Sequence, residues 1–216
     1  MESEIRFYYP SYKYEELNNI LKMYDDLNYE GCFHELTVQY DHPMEEKSFY
    51  KKETDGRFRV RTSKEINTGE SKAKISWKRR FLQTFQEKFN KEEEVELDFK
   101  YDELHNLTFL LENVLQMKKI ESYERYRNVY SNKDIEIVVD KYPFGIALEI
   151  ENKSIEKNAD ETILFWVNRL GLNLDKAFTL SWDDKYTKLC EEQNVEVFNN
   201  VRFGLPMPDV IEWIFV

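Results

Sequence analysis

Polar and apolar side chains alternate with a period of two over most of residues 2–151, the pattern of strands whose two faces see different surroundings. Glu2 to Tyr8 predicts a strand, with Glu2, Glu4 and Arg6 on one face and Ser3, Ile5 and Phe7 on the other, ended by Pro10. Phe33 to Tyr40 is strand-like, and Asp41-His-Pro-Met-Glu-Glu after it is turn-like. In Arg57 to Thr62, Arg57, Arg59 and Arg61 oppose Phe58 and Val60. After a polar loop, Lys72 to Arg80 sets Lys74, Ser76 and Lys78 against Ile75 and Trp77. Lys88 to Phe99 ends in a strand with Glu94, Glu96 and Asp98 opposite Val95, Leu97 and Phe99. Within Lys118 to Tyr130, Arg125 and Arg127 share a face. Asp134 to Asp140 places Asp134, Glu136, Val138 and Asp140 opposite Ile135, Ile137 and Val139, and Gly145 precedes a strand at Ile146 to Glu151.

A helical period interrupts these strands twice and takes over after them. Tyr14 to Leu27 carries Leu17, Ile20, Leu21 and Tyr24 at helical spacing; Tyr101 to Leu115 carries Leu104, Leu107, Thr108, Leu111, Val114 and Leu115. Asp160 to Leu170 predicts a helix packed through Ile163, Leu164, Trp166 and Val167, with Gly171 at its C-terminal cap. Ser181 to Gln193 predicts another, capped by Ser181. The apolar tail, Val201 to Val216, reads as a packed closing strand or an irregular plug at one mouth of the structure. No linker, repeat or low-complexity run divides the chain. The expectation is one domain over 1–216, with strands over 1–151 and helices and a tail over 152–216.

Composition fits such a core: 41% of the 216 residues are hydrophobic and 34% charged, which separates the chain from disordered sequences. The net charge of −11 argues against non-specific binding to nucleic acid or to an anionic membrane surface. Cys32 and Cys190 are the only cysteines, which suits a reduced, cytoplasmic compartment rather than a disulfide framework. The start has no basic n-region or apolar h-region, and no apolar run approaches the length of a bilayer span. There is no CxxC, and His34, His42 and His105 are scattered, so zinc is not expected. Trp166, Trp182 and Trp213 read as packing residues.

Charge, moreover, is sorted by strand. Glu2/Glu4, Glu94/Glu96/Asp98, Asp140 and Glu149/Glu151 are acidic; Arg57/Arg59/Arg61, Lys74/Lys78 and Arg125/Arg127 are basic. Paired carboxylates at i and i+2 repel, and burying them costs more. Two readings follow. The polar faces form a wet sheet surface with cross-strand ion pairs, or they line the inside of an antiparallel barrel, where carboxylates hold a hard cation and the basic groups hold a polyanion.

In order, these residues resemble the CYTH, or triphosphate tunnel metalloenzyme, superfamily. The resemblance rests on Glu2-Ser-Glu4-Ile-Arg6, Phe58-Arg59-Val-Arg61, Ser76-Trp-Lys78, Glu94-Val-Glu96, Arg125-Tyr-Arg127, Asp140, Gly145 and Glu149-Ile-Glu151, over about two-thirds of the chain. Arg6 stands where the family has Lys and Ser76 where it has Thr, and the family's Tyr-Phe-Asp has no clear counterpart in His34 to Asp41. The resemblance implies an α+β fold: a closed eight-stranded antiparallel β-barrel, or tunnel, with a charged lumen and helices packed outside. It implies a divalent-metal-dependent phosphohydrolase acting on a small-molecule triphosphate, namely tripolyphosphate, thiamine triphosphate or a nucleoside triphosphate. The alternatives are a class IV adenylyl cyclase, which makes cyclic AMP from ATP, and a triphosphate-binding module without catalysis.

Carried over by position, the resemblance assigns Glu2, Glu4, Glu149 and Glu151 to Mg²⁺ or Mn²⁺, with Glu94, Glu96 and Asp140 as further ligands. Arg6, Arg59, Arg61, Lys74, Lys78, Arg125 and Arg127 take the triphosphate. Glu4, Glu149, Glu151 and Lys78 carry the catalytic role.

Overall fold

The computed structural model describes residues 2–51, 54–80 and 90–211. Eight long strands form a strongly curled antiparallel sheet: β1 (Glu2–Tyr9), β2 (Asn28–Asp41), β3 (Gly56–Glu65), β4 (Ser71–Arg80), β5 (Asn90–Phe99), β6 (Lys118–Ser131), β7 (Ile135–Tyr142) and β8 (Gly145–Asn152). Their spatial order is β2-β3-β4-β5-β1-β8-β7-β6, and β2 also pairs with β6. A ninth, two-residue strand, β9 (Asn200–Val201), runs parallel to β6. The β2–β6 ladder is long, from Asn28 opposite Ser131 to Asp41 opposite Lys118, whereas among the described residues β5 meets β1 at the register pairs of Glu2, Ser3 and Glu4.

The outer faces of these strands are apolar, and helices cover them. α1 (Tyr14–Leu21) and α3 (Ala159–Arg169) bury Leu17, Leu21, Ile163, Trp166 and Val167 against Ile5, Phe7, Ile135, Ile137, Val139, Ile146, Leu148 and Ile150 of β1, β7 and β8. Burying one such side chain contributes about 1.5–3 kcal/mol, and eight alternate positions on three adjacent strands leave the opposite phase no choice but to face the inside of the curl. α4 (Trp182–Gln193) packs Tyr186, Leu189 and Cys190 on Phe144 and Ala147. α2 (Leu104–Phe109) continues into a wider turn, Leu110–Val114, and sets Leu104, Leu107 and Leu111 against Tyr40, Val60, Phe58 and Ile75 of β2, β3 and β4.

Where the elements end has local causes. Asn158 caps α3 by accepting from the amides of Asp160 and Glu161 at 3.0 and 3.3 Å, and Gly171, at φ +66°, ends it. Ser181 and Asp184 form the capping box of α4. α1 stops at Leu21, short of the predicted Leu27, because the backbone tightens there: Met23 and Tyr24 donate to Ile20 and Leu21 three residues back. The helix predicted over Tyr101 to Leu115 is broken in type. Leu115 donates to Leu110, five residues back, and this added residue per turn rotates Val114 and Leu115 out to 59% and 55% exposure.

The tail is docked through Asp209, which accepts from the Ser11 amide and hydroxyl at 3.1 and 3.0 Å, and Val210 donates to the Phe144 carbonyl. None of residues 201–211 lines the central cavity. Trp213 and the rest of 212–216 lie outside the described residues. Among the described residues no helix is long and apolar enough to cross a membrane.

Candidate functional site

The inward phase of the strands builds one charged cavity of about 140 Å³. β1 contributes Glu4 and Arg6; β3, Arg59 and Arg61; β4, Lys74 and Lys78; β5, Glu94 and Glu96; β6, Tyr123, Arg125 and Arg127; β7, Glu136 and Tyr142; β8, Glu149 and Glu151. Lys153 and Trp182 complete the wall. Antiparallel partners face the same way, so the register sets these neighbours: Glu4 lies opposite Glu151, Arg6 opposite Glu149, Arg127 opposite Asp140, and Arg125 opposite Glu35.

Oppositely charged groups alternate along a continuous chain of contacts. Arg61 lies 3.8 Å from Glu35, and Glu35 is 2.7 Å from Arg125. Arg125 reaches Asp140 at 2.7 Å; Asp140 also receives Arg127 at 2.6 Å. Arg127 passes to Glu149 at 3.0 Å, Glu149 to Arg6 at 2.6 Å, and Arg6 to Glu4 at 3.1 Å. Across the cavity, Glu94 holds Arg59 at 3.1 Å and Lys78 at 3.3 Å, while Lys74 meets Glu96 at 2.5 Å.

The field in this cavity is uneven. Burial would raise the Glu149 carboxyl, yet Arg6, Arg127 and Arg125 hold it well below the usual carboxylate range. Glu35 is likewise held low, against burial, by Arg125, Arg61 and Arg127. The phenol of Tyr123 is pulled below its ordinary value: burial opposes this, and Arg61, Arg125 and Arg59 outweigh it. At Glu151 the balance reverses. Burial pushes its carboxyl up, and Glu4 and Glu136 add to the push against Lys153. The Tyr123 end is therefore electropositive and the wall of Glu4, Glu136 and Glu151 electronegative.

Of the residues singled out in the sequence, Glu4, Arg6, Arg59, Arg61, Lys74, Lys78, Glu94, Glu96, Arg125, Arg127, Glu149 and Glu151 border this one cavity. Asp140 lies behind it at 0% exposure, its carboxylate oxygens engaged by Arg125 and Arg127. Glu2 is in β1, and its side chain falls outside the described residues. Residues that the sequence reading did not single out are also present. Glu35, Glu136, Tyr142 and Lys153 share the strand phase of Thr37, Asp140 and Glu151, so alternation alone held their signal. Tyr123 shares the phase of Arg125. Trp182, expected to pack, does so on Tyr123 at a ring separation of 4.2 Å and also borders the cavity. His34 faces outward to Glu124 at 3.0 Å, away from this chemistry.

The donors suited to a divalent cation are carboxylates, hard oxygen ligands of the kind Mg²⁺ and Mn²⁺ take. Among the described residues no three of them converge closely enough to hold an ion in this arrangement; Glu4, Glu149 and Glu151 are turned to Arg6, Arg127 and Lys153 instead. The raised Glu151 carboxyl beside Glu4 and Glu136 marks the wall where added positive charge would relieve repulsion.

No family model and no curated protein sequence matches the chain. Solved structures do. The PH1819 protein from Pyrococcus horikoshii OT3 superposes with a TM-score of 0.65 at 21% identity, over 89% of this chain and 99% of its own. A candidate adenylate cyclase from Vibrio parahaemolyticus gives 0.61 at 14% identity, over 85% and 95%. A candidate adenylyl cyclase from Hippeastrum with a dominant triphosphatase activity gives 0.54 at 14%, over 94% and 100%. At these identities the likeness is one of fold. Together with the ordered motifs on its strands, it gives the chain a CYTH-type fold.

Proposed function

We propose that this protein is a divalent-metal-dependent phosphohydrolase acting on a triphosphate, and that its eight strands close into a tunnel around that substrate. The long β2–β6 ladder supports closure, because it gives the two end strands of the sheet a partner on both edges. The observation that carries the function is the gathering of Arg6, Arg59, Arg61, Lys74, Lys78, Arg125 and Arg127, from four strands, around one cavity.

In this reading the five guanidinium groups offer planar forks to phosphate oxygens, and Lys74 and Lys78 add compact charge. An incoming polyphosphate takes over the cations that Glu94, Glu96, Glu35 and Glu149 now engage. The carboxylates of Glu4, Glu149 and Glu151, with Glu2, Glu94, Glu96 and Asp140 as further donors, would hold Mg²⁺ or Mn²⁺. A cation there supplies Lewis-acid polarisation of a phosphoryl oxygen. The arginines and Lys78 stabilise negative charge as it develops on the leaving phosphate, and this is the main work in phosphoryl transfer. Hydrolysis is preferred over cyclisation because it requires only contacts to the triphosphate.

Product analysis decides. With Mg²⁺ or Mn²⁺, wild type is expected to release orthophosphate from tripolyphosphate or ATP, and a Glu149→Gln/Glu151→Gln variant is not. Cyclic AMP with pyrophosphate would make the protein a cyclase. Metal-dependent thermal stabilisation by tripolyphosphate without any product would leave a binding module. No product and no stabilisation would overturn the reading.

A further inference from the structure

An acid on the cavity wall stands outside the chain of ion pairs. Tyr123 of β6 is 1% exposed and borders the cavity. Its ring is fixed by Trp182 at 4.2 Å and Tyr142 at 5.9 Å. Its register partner is Thr37 of β2, which also pairs with Arg61 of β3, so three inward side chains meet in one row. Arg61 Nε donates to Thr37 Oγ1 at 3.2 Å, and the Thr37 hydroxyl in turn donates to the phenol oxygen. With its oxygen accepting from Thr37, the phenol keeps its own O–H to donate. The charges that act on it most strongly are Arg61, Arg125 and Arg59; β7 presents Tyr142 and α4 presents Trp182. The three guanidinium groups favour loss of the phenol proton, although burial opposes it.

Hydrolysis in this cavity calls for a group that gives up a proton where negative charge gathers. Arginine does not. Lys74 and Lys78 are engaged by Glu96 and Glu94. Glu149 is held ionised by Arg6, Arg127 and Arg125, and Glu4, Glu136 and Glu151 stand on the electronegative wall. The Tyr142 hydroxyl accepts from Arg125 at 3.0 Å, and burial holds its proton tightly. We propose that Tyr123 is the general acid of the hydrolysis, placed among Arg59, Arg61 and Arg125 to give its proton to the leaving phosphate. The water oxygen forms the new bond to phosphorus. Both protons of that water stay on the transferred phosphate, one on the new oxygen and one moved to its neighbour. The bridging P–O bond breaks with its electron pair on the leaving oxygen, which takes the phenol proton. The phenolate left behind is held by the same arginines that stabilise the leaving phosphate, and it regains a proton from solvent. This inference rests on the phosphohydrolase reading above and names a catalytic residue for it.

The test is steady-state kinetics on the full chain in Mg²⁺ buffer, with tripolyphosphate and ATP as substrates, beside ultraviolet titration of the tyrosines. Tyr123→Phe keeps the ring in its packing. General acid catalysis supplies enough that kcat should fall about 100-fold or more while KM stays within about threefold. Wild-type kcat/KM should decline as pH rises through the titration of this phenol, below the ordinary 10, because the acid must hold its proton. The variant should lack that decline and show one fewer phenol titrating early. Thr37→Val removes the hydroxyl that donates to the phenol oxygen. It should move the decline to higher pH, and it keeps the proposal falsifiable if Tyr123→Phe does not fold. A kcat within about threefold of wild type, a loss confined to KM, or a decline that Thr37→Val leaves unmoved would overturn Tyr123 as the acid while leaving the triphosphatase. Wild type that releases no orthophosphate from either substrate would overturn the functional reading and this inference with it.

Discussion

Arg125 and Asp140 face each other at 2.7 Å with side chains only 3% and 0% exposed, two full charges held out of water inside a sheet. The pair is completed by Glu35 on one side and Arg127 on the other. Removing one partner from such a pair strands the other charge in a medium that solvates it poorly. Asp140→Ala should therefore lower stability by about 3–5 kcal/mol, read as the midpoint shift in urea unfolding. A loss under about 1 kcal/mol would mean that water reaches the pair.

Arg61 differs because Glu35 keeps Arg125 when Arg61 is removed. Its larger part is proposed to be in holding phosphate. Charge-assisted hydrogen bonds contribute about 1.5–3 kcal/mol, so Arg61→Ala should weaken tripolyphosphate about tenfold or more in calorimetry, with a smaller fall in Tm than Asp140→Ala. Arg61→Lys should restore part of the affinity, since the charge returns without the planar fork. Unchanged affinity in Arg61→Ala would remove Arg61 from the site.

Glu121 sets a pH dependence. Burial, then Asp183 and Asp184, raise its carboxyl from the ordinary 4.5 to about 7, with Arg57 and the Gln39 amide opposing. The folded state thus holds this proton more tightly than the unfolded chain. The contribution is full below about pH 4.5 and is lost as pH rises through about 7. Glu121→Gln keeps the neutral form at every pH, so its Tm should decline less than that of wild type between these limits. Parallel Tm profiles would count against a buried, protonated Glu121.

Gly145 opens β8 at φ +141°, and a Cβ there would sit 2.7 Å from Val210 Cγ2 and 3.0 Å from the Tyr9 carbonyl oxygen. Backbone strain of this kind costs about 1–3 kcal/mol, and the contacts add to it. Gly145→Ala should destabilise by at least that much in thermal unfolding. Adding Val210→Ala should recover only part, because the φ and the Tyr9 carbonyl remain. Full recovery would show that the side-chain clash is the whole effect.

The charged interior was legible because strand side chains have a period of two. Once Ile5 and Phe7 are buried under α1 and α3, Glu4 and Arg6 must share the other face, and the same holds for Ile135, Ile137 and Val139 against Glu136 and Asp140. The resemblance to the tunnel family, carried by the order of these pairs, agrees with the fold seen in solved structures. Less legible was anything set by a break in regularity. The wide turn at Leu110–Val114 and the early end of α1 depend on local changes of backbone hydrogen bonding, which a side-chain period does not encode.

By itself, then, the sequence determined which residues point the same way along each strand, because alternation is a property of the extended backbone alone. It could not determine which strands become neighbours. Only the tertiary pairing set Glu35 beside Arg125, placed Asp140 behind the cavity between two arginines, and brought Trp182 onto Tyr123 at the cavity wall. Those outcomes depend on register between strands ninety residues or more apart in the chain, and register is fixed by the packing of every outer face at once.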